Sequence, residues 1–155
     1  MEYKVRIIEP VALMEQLPQL LLETESIPLV ISGNSMAPFL KHGRDMVYLR
    51  RITQPPQKGD IVLYQRQCGT YILHRIYRHT ADRYELVGDG QLGIEPGIRR
   101  DQMIAIVNTV RRNGKIVHKG SFCWGFFSRV WLSLLPLRPF LFRIHRIMTA
   151  WRTQK

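Results

Sequence analysis

The sequence predicts a mainly β protein: a compact antiparallel β domain, a short helix ahead of it and a basic, amphipathic helical tail behind. Three observations carry that expectation. Short runs rich in Val, Ile, Leu and Tyr recur at close spacing through the middle of the chain. The single helix-period segment in that part lies ahead of these runs rather than between them. Asn113-Gly114 stands between two alternating runs, the strongest local signal for a two-residue hairpin. A chain of 155 residues with 45% hydrophobic and 23% charged residues is long enough for one domain with a real core, and its composition excludes disorder.

In order, PVALMEQLPQLLLETE (10–25) spaces its apolar residues helically; Pro10 suits a first turn, and Pro18 predicts a kink or a break. IPLVI reads as a strand that leads directly into ISGNSMAPFL. DMVYLRRI and KGDIVLYQR are further β-rich runs, and the paired prolines of TQPPQ between them predict a loop rather than a tight turn. TYILHRIYR and RYELVG follow, joined by the polar HTAD, and MIAIVNTVRR and KIVHKG close the series around Asn113-Gly114. Three regions result: an N-terminal helical segment (1–26), a β domain (27–119) and the tail (120–155). The opening MEYKVRIIEP mixes charges into its apolar residues and has no small-residue cleavage site, so no secretion signal is expected there.

The formal charge is +11, which implies attraction to a polyanion. Seven Lys or Arg and no Asp or Glu lie between Lys119 and Lys155. Arginines at 129, 138, 143 and 146 interrupt every apolar run of the tail, and Pro136 and Pro139 break it, so two short amphipathic helices are expected in place of a membrane span. Their apolar face has three candidate partners. The leading one is an anionic membrane surface, the second is the β domain or another copy of the chain in a homodimer, and the third is nucleic acid. Base-stacking aromatics interleaved on a β face are not evident, which counts against nucleic acid. Cys68 and Cys123 lie far apart without metal-ligand spacing, so they read as free thiols in a reducing compartment, and neither a metal nor a cofactor is expected. The expected location is cytoplasmic, peripheral at a membrane surface.

Chemistry centres on Ser35 and His74. A serine hydroxyl needs a base within hydrogen-bond reach, and His74 lies inside TYILHRIYR, where alternation puts it on one face with Ile72 and Ile76. His42, His79, His118 and His145 sit in charged or turn-like contexts and read as solvated. Alone, each is commonplace: serine after Gly-Asn is a frequent turn residue, and a histidine on an apolar face is usually a satisfied core group.

Together they form a pattern. GNSMAP, KGDIVLY, YILHRI and VGDG, in this order over residues 28–118, closely resemble the signal peptidase and self-cleaving repressor superfamily of serine proteases. The resemblance implies that Ser35 is the nucleophile and His74 the base, as in the endoplasmic-reticulum and archaeal branch. It further implies that Met36 packs beneath the site, that the Ser35 amide serves the oxyanion hole with Ser32 as a candidate second donor, and that small side chains flank the scissile bond. Gly33 would let the backbone turn, and Pro38 would stiffen the loop's exit. Six residues beyond Asp89, where that branch has its third member, stands Glu95. Asp89 and Asp101 are rivals for that role, Asp89 better suited to supporting its loop, and Asp60 reads as a structural turn residue. Two departures stand out: the segment before Ser35 is too short and polar to span a bilayer, and no helix-turn-helix precedes the domain. The expected function is a serine endopeptidase acting on an extended peptide or protein; the alternative is a non-catalytic β adaptor bound through its tail to a membrane or a protein.

Overall fold

The computed structural model describes residues 10–152; the opening segment read above for a secretion signal lies outside them, as do Lys155 and the side chains of His145 and Arg152. Helix α1 (Pro10–Glu23) precedes strands β1 (Ile27–Val30), β2 (Met46–Arg50), β3 (Ile61–Gln65), β4 (Tyr71–His79), β5 (Arg83–Val87), β6 (Glu95–Arg99), β7 (Met103–Arg112) and β8 (Lys115–His118). Among the described residues these eight strands form one sheet of order β1-β2-β7-β3-β4-β5-β6, with β8 paired to β7. Every pairing is antiparallel.

Central strand β3 explains the two-sided core. Ile61 through Tyr64 are all buried, because both faces of the strand are covered. Ile61 and Leu63 join Val47, Leu49, Val107, Leu17 and Leu21 on one face. Val62 and Tyr64 join Ile76, Tyr84, Leu86, Ile98 and Met103 on the other. Alternation along one strand thus feeds two cores.

Pro18 does not break α1, which runs unbroken through it. Leu17 and Leu21, both buried against the sheet, hold the helix in place, and tertiary packing outweighs the local penalty. Asn113 and Gly114 turn between β7 and β8 with φ of 48° and 77°. The pairing of two positive φ values is what a tight hairpin of this kind requires. DMVYLRRI and KGDIVLYQR, consecutive in sequence, become β2 and β3 with β7 inserted between them.

The tail begins with a short helix, α2 (Phe122–Gly125), capped by Ser121 Oγ, which accepts from the Trp124 amide at 3.4 Å. A wider helical turn (Phe126–Trp131) continues it, and after a tight turn at Leu135–Leu137 helix α3 runs from Arg138 to Arg152. Trp124 and Phe127 enter the β domain's core beside Phe39, and Leu132 and Leu135 pack on Val87. The first half of the tail is therefore an integral layer of the fold. Among the described residues no helix is long and apolar enough to cross a membrane.

Candidate active site

The serine loop connects β1 to β2 and is pinned at its base. The Ile31 amide donates to Asp45 O at 2.9 Å and the Gly43 amide to Ile31 O at 2.8 Å. The Asp45 carboxylate, itself buried, accepts from the amides of Lys41 (2.8 Å) and Asn113 (2.9 Å) and from the Arg44 guanidinium. Gly33 has φ +83°, a left-handed conformation that side chains other than glycine rarely adopt. Its amide donates to His42 Nδ1 at 3.0 Å, a role the sequence reading of His42 as merely solvated did not include. Ser35 is half-buried, Met36 is anchored in the core with Phe39 and Leu40, and Ser32 and Pro38 are exposed. Among the described residues no hydrogen bond occupies the Ser35 amide or hydroxyl.

A second loop, Gly88-Asp89-Gly90, closes against the first. Gly90 donates its amide to Ser35 O at 2.8 Å. A Cβ on Gly88 would stand 2.3 Å from that same oxygen, and one on Gly90 would stand 2.8 Å from the carbonyl oxygens of Asn34 and Ala37. Only glycine permits this approach of backbone to backbone. Asp89 holds its loop in place through a two-pronged pair with Arg75 (3.0 and 2.8 Å), both side chains fully buried. Arg75 also donates to Gly59 O at 2.9 Å and lies over the Phe39 ring. The tail completes the clamp. Trp131 Nε1 donates to Asp89 O at 2.8 Å, and Arg138 Nη1 donates to Gly88 O and Gln91 O, each at 2.9 Å.

His74 lies next to Arg75 in β4, on the opposite face, and is 2% exposed. It stands across from Val62, and Ile72 across from Tyr64, so His74 and Tyr64 are diagonal neighbours within reach of each other. The Tyr64 hydroxyl is 3.2 Å from His74 Nδ1 and donates to Glu95 Oε2 at 2.6 Å. A phenol has one proton, and here the carboxylate takes it. The tyrosine oxygen therefore accepts from His74 Nδ1–H, an assignment made from the hydrogen-bond network, and the basic lone pair is left on Nε2. Arg66 grips Glu95 from outside at 2.7 and 2.6 Å.

Electrostatics follow this arrangement. Burial lowers the His74 pKa to about 4; the Glu95 charge opposes the shift and Arg66 adds to it. Glu95 is held below the usual carboxylate range, chiefly by Arg66 and against burial, with Tyr64 helping. Burial and the neighbouring Glu95 push the Tyr64 hydroxyl well above its ordinary value.

The structure thus brings His74, Tyr64 and Glu95 into one chain, and the Ser35 and Asp89 loops into another contact. His74 and Ser35 are not hydrogen-bonded to each other. Asp89 is engaged by Arg75, Asp101 pairs with Arg99 at 2.9 Å on the exposed surface, and Asp60 accepts from the Gln57 amide at 3.0 Å and pairs with Lys119. Sequence reasoning missed Tyr64 and Arg66. Period-two alternation in IVLY puts Tyr64 on a face with Val62, but which histidine that face meets depends on the β3–β4 register, which no local pattern supplies. Cys68 and Cys123 are free thiols.

An antiparallel sheet domain with a glycine-seated serine loop and a buried histidine–acid chain has the form of a serine-peptidase-type domain. The Peptidase S24-like family model matches residues 8–111, and the chain belongs to that family, within the repressor and signal-peptidase type of serine protease. No curated protein gave a match. No solved structure gave one.

Proposed function

We propose that the chain is a serine endopeptidase in which Ser35 is the nucleophile, His74 the general base and Glu95 the acid that orients it through Tyr64. The observation that carries this reading is the hydrogen-bond chain from His74 Nδ1 through Tyr64 to Glu95, which leaves Nε2 as the basic nitrogen. Holding that tautomer is the task the acid performs in serine-protease triads generally. Asp89, committed to Arg75, supports the serine loop instead of the histidine.

In this mechanism an extended peptide adds to the outer edge of β1, the terminal strand of the sheet among the described residues, which runs directly into the serine loop. As Ser35 Oγ attacks the scissile carbonyl, its proton passes to His74 Nε2. The Ser35 amide, which has no partner among the described residues, donates to the developing oxyanion. The imidazolium keeps its Nδ1–H on Tyr64, and the Glu95 charge behind it offsets the new cation. His74 then protonates the leaving amine, and the acyl-enzyme ester forms. Water, losing its proton to the same nitrogen, hydrolyses the ester and frees Ser35.

Mass-spectrometric profiling of a library of extended peptides tests the proposal. Wild type should cleave a subset of the library, and Ser35→Ala and His74→Ala should not. Cleavage that persists in Ser35→Ala would assign the activity elsewhere, and a wild type that cleaves none would favour the adaptor reading.

A further inference from the structure

The first part of the tail turns its large side chains into the sheet; α3 turns several away from it. Leu137, just before the helix, and Phe140, Ile144 and Met148 recur at helical spacing and are 55%, 65%, 38% and 63% exposed. On the other side of the helix Arg138 is buried, and Phe142 lies against Trp131, 6.2 Å between ring centroids. Phe122, Phe126 and Val130 extend the apolar exposure onto the preceding segment, with Arg129 exposed among them. Apolar side chains exposed in this number on one segment call for a partner.

Charge selects the partner. Residues 119–155 contain seven Lys or Arg and no acid. A second copy would set two such tails face to face with no carboxylate in either to offset the repulsion. Nucleic acid would satisfy the cations but leave Leu137, Ile144 and Met148 in water. An anionic bilayer meets both needs, since the apolar row enters the acyl boundary while Arg129 and Arg143 reach the head groups. At 15 residues α3 is about 22 Å long, suited to lying on the surface.

We infer that α3 and the exposed side chains of the preceding segment form a docking surface for an anionic membrane, independent of whether the site is catalytic. The Arg138 clamp begins α3 and holds the loop that seats Ser35, so docking brings the site beside the lipid.

Flotation of the full chain tests this, using phosphatidylcholine vesicles with and without phosphatidylglycerol. Wild type should float with the anionic vesicles only, and less at high salt. Phe140→Ser/Ile144→Ser/Met148→Ser should weaken binding roughly tenfold or more, and Arg129→Gln/Arg143→Gln should reduce both binding and its salt dependence. Ile116→Ser, which removes an exposed apolar side chain on β8, should bind as wild type. If circular dichroism shows the triple variant unfolded, the arginine variant decides. Absence of binding to anionic vesicles would overturn the inference, and so would wild-type binding by a folded triple variant. A wild-type dimer that the triple variant dissociates, with vesicle binding unchanged, would assign the face to a second copy, and preferential binding of DNA would assign it to nucleic acid.

Discussion

The Tyr64 hydroxyl lies 3.2 Å from His74 Nδ1 and accepts a hydrogen bond from its N–H, because the tyrosine's own proton is donated to Glu95 at 2.6 Å. Tyr64 thus links the histidine to a carboxylate two strands away. Tyr64→Phe removes the link while Arg66 still holds Glu95. It should lower kcat/KM on the order of 100-fold and destabilise the fold by about 1–3 kcal/mol, the cost of an unpaired Nδ1–H. Imidazole 15N shifts distinguish this from a packing defect: wild-type His74 should be the Nδ1–H form, and the variant a mixture.

The pH dependence follows from burial. With His74 lowered to about 4, the imidazole is neutral, and so competent as a base, above that value. The acid limb of kcat/KM should fall near pH 4, well below the 6.5 of an unperturbed ring. Stability has the same origin. The unfolded chain binds the proton near pH 6.5 and the folded chain only near 4, so stability is full above 6.5 and declines as pH falls toward 4. The loss is on the order of 3 kcal/mol. Urea unfolding of wild type and His74→Gln at several pH values measures it, and the variant should lack this component.

The Arg75–Asp89 pair is fully buried, so removing one partner strands the other. Asp89→Ala should cost about 3–5 kcal/mol, and Arg75→Met combined with Asp89→Leu should recover much of it. Both are readable in urea midpoints. In any Asp89 variant that folds, the acid limb of the rate profile should stay where it is in wild type, because Asp89 makes no hydrogen bond to His74.

At Gly88 the fold tests the seating of the serine directly. A methyl group there would meet the Ser35 carbonyl oxygen at 2.3 Å, and backbone cannot move aside as a flexible side chain would, so one loop must shift. Gly88→Ala should reduce kcat on the order of 100-fold, since misplacement of about 1 Å is that costly. Single-turnover acylation rates, compared with melting temperature, separate the effect from unfolding.

What the sequence made legible was local. The Asn113-Gly114 hairpin, the strand-like runs and the short first helix depend on residues near one another, and each forms where expected. Ile72, His74 and Ile76 share a face as alternation required. Strand β6, EPGIR, escaped notice because Pro96 and Gly97 argue against a strand; at the end of the sheet it has one neighbour among the described residues, and an edge tolerates both. The insertion of β7 between β2 and β3 is set by pairing between distant segments, and so is the meeting of Tyr64 with His74. The tail's amphipathic character was readable. That Trp124, Phe127 and Arg138 would turn inward while Phe140 and Met148 would not depended on where the sheet ends.

The most direct test of the account is labelling with a fluorophosphonate, which phosphonylates an activated serine, Oγ bonding to phosphorus as fluoride leaves. A single adduct mapped to Ser35 by mass spectrometry is expected, absent in Ser35→Ala and formed at least on the order of 1000-fold more slowly in His74→Ala. An adduct that forms equally fast without His74, or that maps to another residue, would contradict it.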